Sequence, residues 1–150
     1  MTEAREVGYD RPMDAVRIEW TAALALGIEE IDAQHRELFL HVARVRDAAF
    51  SGDASEIERT LAFLERYVAF HFAAEERYMA AQRYPGLSLH REEHAWFLHA
   101  VREIEADHLR DGPSADATAR VERFLSDWVR THIGVCDLGM ARFVRRARPG

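Results

Sequence analysis

Six side chains that would normally face water fall where the helices of this chain place their core. At 3.6 residues per turn, His35 keeps phase with Leu38, Phe39, Val42 and Val45. His71 and Glu75 keep phase with Ile57, Leu61, Leu64, Val68 and Met79; His90 and His94 with Phe97, Val101 and Ile104; and His132 with Val121, Leu125, Trp128 and Val135. A buried imidazole or carboxylate is costly unless it is paired or bound to a metal. A single such histidine is most often a hydrogen-bonded core residue. Six polar groups spread over four segments require either a polar network or a metal centre.

Those segments also define the fold. The first spans about residues 32–50, with Asp32 as its expected N-cap, and SGDAS interrupts the chain after it. The second spans about 55–83, where Ser55 and Glu58 have the spacing of a capping box, and Pro85 and Gly86 end it. The third spans about 87–109 and is closed by DGPS; the fourth spans about 114–146. β-branched alternation never persists, so strands are not expected. Four helices with short connectors predict an all-α, up-down-up-down antiparallel four-helix bundle. The expectation is one domain over 1–150, with the bundle at about 27–146. An arm at about 1–26 precedes it, carrying Ile18 and Trp20 to dock on it.

Composition narrows the function. A net charge of −6 without a basic stripe argues against a nucleic-acid binder. One cysteine, Cys136, rules out an internal disulfide and any four-thiolate zinc or iron–sulfur site. The N-terminus has no apolar h-region, and no apolar run approaches the roughly 20 residues of a membrane span. A soluble cytoplasmic protein is expected.

The spacings favour metal over a polar network. His71/Glu75 and His90/His94 are i, i+4 pairs, which share a helix face. His132 and Asp137 stand five apart, about 140° out of phase on a straight helix. Convergence there predicts a π-type bulge near residues 132–137, which Gly134 and Gly139 would permit. Imidazole and carboxylate without thiolate suit iron, manganese or zinc. Five histidines and two carboxylates exceed one tetrahedral zinc and suit two metals bridged by the carboxylates. HREEH (90–94) also fits the inverted zinc-protease pattern H-x-x-E-H, but that reading leaves His35, His71, Glu75, His132 and Asp137 unexplained. A ferritin-like oxidase needs two E-x-x-H motifs, and only Glu105–His108 exists, out of register with the cluster.

Taken in order, IDAQH (31–35), HFAAEE (71–76), HREEH (90–94) and HIGVCD (132–137) resemble the hemerythrin family, as do the 15 residues from Glu75 to His90. The resemblance covers about residues 18–143 and is to the stand-alone bacterial members. It implies two non-haem iron ions with an oxo or hydroxo bridge. His90, His94 and His132 would hold one iron and His35 and His71 the other, with Glu75 and Asp137 bridging. In the family, dioxygen binds at the open position of the two-histidine iron. The implied function is reversible dioxygen binding for carriage, storage or delivery, with no catalytic residue. Oxygen or redox sensing through a partner, and peroxide or nitric oxide chemistry at the same irons, are the alternatives. An oxygen-consuming enzyme is a candidate partner, and a monomer is expected.

Leu38, Phe72, Trp128, Ile133 and Cys136 are expected to wall the oxygen pocket. Cys136 departs from the family, in which a bulky aliphatic commonly precedes the bridging aspartate. His41, His99 and His108 match no ligand position and read as surface residues; Glu93 reads as a solvated helix face. Gln34 and Asp32 match the family's first motif, with Asp32 a cap rather than a ligand.

Overall fold

The computed structural model describes residues 18–148; the first part of the expected arm lies outside them. A single 3-10 turn, Ala22–Leu24, leads into α1 (Glu29–Ser51), α2 (Ser55–Ala81) and α3 (Leu87–Asp111). The fourth rod is composite: α4 (Ala115–Trp128), a π-helical segment (Val129–Asp137) and α5 (Leu138–Ala147) follow without interruption. Among the described residues there is no strand. α1 packs against α2 and α4, and α2 against α3, which is the neighbour order of an up-down-up-down four-helix bundle. No described helix is long and apolar enough to cross a membrane.

The core is split by its polar layer. On one side Leu38, Val42, Val45, Leu64, Val68, Phe97, Val101, Val121 and Leu125 form a large apolar cluster. On the other a smaller cluster gathers Leu26, Ile31, Met79, Met140, Ala141 and Val144. Along each helix the order repeats: Ile31, His35, Leu38 on α1; Phe72, Glu75, Met79 on α2; Ile133, Asp137, Met140 on the fourth rod. The histidines and carboxylates therefore lie in a slab with dry packing above and below. That packing fixes their rotamers.

The arm docks where its apolar residues suggest. Ile18 is buried in the large cluster, with Trp20 and Leu24 against it. Arg145 of α5 donates to the Leu26 carbonyl (3.0 Å), tying the arm's end to the last helix.

Several local expectations need correction. α1 begins at Glu29, not Asp32, and its N-cap is Ile28. Glu29 and Glu30 favour the first turn through the helix dipole. The Asp32 carboxylate instead turns inward and accepts from the amides of Leu26 (2.8 Å) and Gly27 (3.1 Å). The Ser55–Glu58 capping box does not form. Asp53 Oδ1 accepts from the Ser55 amide (3.0 Å) and hydroxyl (2.6 Å), and Glu58 pairs with His108 (3.3 Å). α2 stops at Ala81 because Arg83 turns to φ 54°, whereas α3 runs on to Asp111, where Gly112 (φ 75°) can leave the helix. Val135, expected inside, is 66% exposed, because the π segment shifts the helical phase.

Candidate metal centre

Seven side chains meet in the polar slab, all buried: His35 from α1, His71 and Glu75 from α2, His90 and His94 from α3, His132 and Asp137 from the π segment. On α2 and α3 the ordinary i, i+4 register aims each pair inward. The fourth rod needs its wider turn, in which the Leu138 amide reaches back five residues to the Ile133 carbonyl. Thr131 Oγ1 donates to the Asp127 carbonyl (2.8 Å), satisfying an acceptor at the entry to the bulge. Neither glycine is required for space: a Cβ on Gly134 would meet nothing nearer than 3.6 Å, and one on Gly139 nothing within 4 Å.

The contacts sort into two groups. Glu75 Oε1 lies 2.6 Å from His90 Nε2, 3.7 Å from His94 Nε2 and 3.9 Å from His132 Nε2. Its other oxygen, Oε2, lies 3.0 Å from His71 Nε2 and 3.9 Å from His35 Nε2. Asp137 divides the same way: Oδ1 faces His90 (2.8 Å) and His132 (3.2 Å), and Oδ2 faces His35 (3.3 Å). Each carboxylate offers one oxygen to a three-histidine group and the other to a two-histidine group. Both groups bring their ligand-type atoms within 4.8 Å of one another.

The outward ring nitrogens also differ. His71 Nδ1 donates to Gln34 Oε1 (2.8 Å), and His132 Nδ1 donates to Glu93 Oε2 (2.6 Å). A carbonyl or carboxylate oxygen can only accept, so a proton sits on Nδ1 and Nε2 is the nitrogen that faces the cluster. There, Nε2 of His35 and His71 are 3.2 Å apart, as are Nε2 of His94 and His132. Glu75 Oε2 and Asp137 Oδ2 have no hydrogen-bond partner. Crowded imidazole nitrogens and unpartnered buried carboxylate oxygens are what a cation between them satisfies, so this donor set fits metal.

Without metal, protons balance the charge. Burial alone would lower His90 and His132, but hydrogen bonds to Asp137 and Glu75 outweigh it and raise them to about 9 and about 10. Burial prevails at His71, which is lowered. Burial opposes the charged form of both carboxylates; a hydrogen bond with Asp137, then those with His132, His71 and His90, hold Glu75 well below its ordinary value, and His132 and His35 hold Asp137 below its own against burial and the neighbouring Glu75. Metal binding would therefore release protons.

Aromatic rings press on the histidines. Phe72 stacks on His94 (3.7 Å between centroids), Trp128 on His132 (4.0 Å) and Tyr67 on His71 (5.0 Å). Leu38, Phe72, Trp128 and Ile133 are buried, while Cys136 is only half-buried. The Cys136 thiol donates to Glu93 Oε1 (3.6 Å), and burial followed by that contact pushes it up to about 11. It is a thiol at neutral pH and a poor nucleophile.

Three residues behave differently from the sequence reading. Glu93 is only partly a solvated helix face, because both of its oxygens are held by the π segment. The sequence signal was its place three residues after His90, on the flank turned toward a neighbouring helix. His41 is half-buried and stacked on Phe63 (3.6 Å), and His108 is half-buried against Glu58; only His99 is exposed.

Residues 26–143 match the Hemerythrin HHE cation binding domain. The chain is 31% identical over 132 residues to a bacteriohemerythrin of Ralstonia nicotianae, an alignment covering 88% of this chain and 92% of that one. It is 30% identical over 119 residues to a bacteriohemerythrin of Methylococcus capsulatus, covering 79% and 89%. A crystal structure of a leucine-to-tyrosine mutant of hemerythrin superposes with a TM-score of 0.69 at 29% identity, covering 83% of this chain and 95% of that one. The four-helix frame thus has its counterpart in a known structure, and this chain belongs to the hemerythrin family.

Proposed function

We propose that this chain binds dioxygen reversibly at a non-haem di-iron centre, for carriage, storage or delivery. His90, His94 and His132 would hold one iron and His35 and His71 the other, with Glu75 and Asp137 each offering an oxygen to both. The observation that carries this reading is the division of both carboxylates, one oxygen to each histidine group. A pair of irons held there would supply the electrons for reversible dioxygen binding.

The chain's own groups set the terms. His90, His94 and His132 would give one iron three imidazoles and His35 and His71 would give the other two, so the iron beside His35 and His71 would be the one with room for a further ligand. Gln34 fixes the His71 ring by accepting from Nδ1 at its side-chain Oε1, and the Tyr67 hydroxyl steadies that corner by donating to the Gln34 backbone carbonyl (2.7 Å). Burial raises the Tyr67 phenol well above its ordinary value, so it remains a donor. Leu38, Phe72, Trp128 and Ile133 exclude water from around the cluster.

Anaerobic loading with ferrous iron followed by alternating air and argon tests the proposal. The expected result is two irons per chain and a visible charge-transfer band that appears in air and disappears under argon through repeated cycles. One-way bleaching to an oxidised form would favour a sensor or an enzyme instead. A chain that takes up zinc but no iron would overturn the di-iron assignment.

A further inference from the structure

We propose that Glu93 is a positioning residue for the three-histidine iron, and that with Gln34 it gives the two irons unequal outer partners: a carboxylate behind His132 and a carboxamide behind His71. The inference rests on the ligand assignment above and goes beyond it to residues that touch neither iron.

The geometry is a clamp. Glu93 sits on α3 between two proposed ligands of the same iron, His90 and His94. Its Oε2 accepts from Nδ1 of the third, His132, at 2.6 Å, and its Oε1 accepts from the Cys136 thiol at 3.6 Å. Residues 132 and 136 lie at successive turns of the π segment, so one carboxylate bridges α3 to the widened helix at two points. The side chain remains 43% exposed, in a surface groove of about 480 Å³ lined also by Leu89, Trp96, Trp128 and Thr131. A glutamate with open water beside it lies instead across two groups of the neighbouring helix. The opposite corner uses a neutral acceptor: Gln34 Oε1 lies 2.8 Å from His71 Nδ1.

The chemical consequence follows from the acceptor. A carboxylate hydrogen-bonded to a ligand imidazole fixes its tautomer and ring plane and makes its other nitrogen a stronger donor. A carboxamide fixes the ring with less electronic effect, because it carries no charge. Glu93 thereby favours the ferric state at the three-histidine iron. The iron behind Gln34, where dioxygen would bind, lacks that bias.

Three variants of the full chain test this: Glu93→Ala, Glu93→Gln and Gln34→Glu. Iron release to a chelator under argon reads positioning, and the midpoint potential of the loaded chain reads the charge. Glu93→Ala should hold iron about 10- to 100-fold less tightly, the usual effect of losing an outer partner of a ligand histidine. Glu93→Gln keeps an acceptor, so it should hold iron nearly as well but at a raised potential. Gln34→Glu should lower the potential. In the metal-free chain, the His132 Nδ1 proton should give a far-downfield NMR signal that Glu93→Ala abolishes. Unchanged iron retention in Glu93→Ala, or an unchanged potential in Glu93→Gln, would overturn the inference, and Glu93→Gln still decides the matter should Glu93→Ala fail to fold. An unaltered chain that takes up no iron pair would sink the di-iron reading instead, which separates the two failures.

Discussion

α2 and the fourth rod do the same job with different backbones. Each delivers one histidine and one carboxylate to the slab. α2 does so with His71 and Glu75 four residues apart on an unbroken helix, and the fourth rod with His132 and Asp137 five apart on a π segment. The difference shows what a bulge achieves. An extra residue is absorbed into one wide turn and pushed to the surface as Val135, so Asp137 still points inward and Met140, Ala141 and Val144 beyond it still meet the core. α2 has no such slack, because every inward position from Ile57 to Met79 counts on one uninterrupted phase.

The largest effect should come from removing one residue from each. Deleting Ala74 rotates Glu75 and Met79 by about 100° relative to His71. The expected cost is upwards of ~4 kcal/mol, lowering Tm by roughly 10 °C or more in a chain of this size. Deleting Val135 converts the five-residue spacing to four and lets the segment close as ordinary α-helix, with the inward face preserved. Its Tm should change by no more than ~4 °C, the size of about 1 kcal/mol here. Circular dichroism melts of the iron-loaded chains measure both; equal losses would break the comparison.

Next in size is loss of the carboxylates themselves. Glu75→Ala and Asp137→Ala each remove a proposed bridge and leave facing imidazoles without their counter-charge. Each should weaken iron binding by more than ~100-fold, exceeding the ~10- to 100-fold typical of an outer partner. Iron per chain after desalting reads this. If Asp137→Ala kept both irons while Glu75→Ala lost them, the two helices would not be equivalent donors.

The same contrast marks how far the sequence could be read. Regular phase made every inward residue named on α1, α2 and α3 legible, since burial and periodicity carry the same information there. On the fourth rod the five-residue spacing located the bulge, but phase then misplaced Val135, and the glycines proposed to permit the distortion proved unnecessary for space. The outward nitrogens of the histidines were not legible, because Gln34 and Glu93 find them across helix interfaces that no single periodicity encodes. Caps failed for a related reason. Asp53 and Ser55 compete for the same turn, and which of them wins depends on the loop's path.

The smallest effect concerns how each helix steadies its histidine ring. His132 leans on Trp128 one turn away within its own rod. His71 ends a longer column, in which His41 of α1 stacks on Phe63 (3.6 Å), Phe63 on Tyr67 (4.8 Å) and Tyr67 on His71 (5.0 Å). Burial, then Arg44, lowers the His41 pKa below 6.5, and its Nδ1 is buried without a partner. Above that value both folded and unfolded chains carry His41 neutral. As pH falls through it, the unfolded chain takes up a proton that the folded chain resists, so stability is lost on the acid side. His41→Phe keeps a ring in the column and removes the titration. Urea unfolding between about pH 7 and about pH 5 should therefore show the unaltered chain losing stability relative to the variant, against the same background from the other histidines. Parallel profiles would mean that the far end of the column feels water, and that Tyr67 of α2 and Gln34 of α1 alone hold the His71 ring.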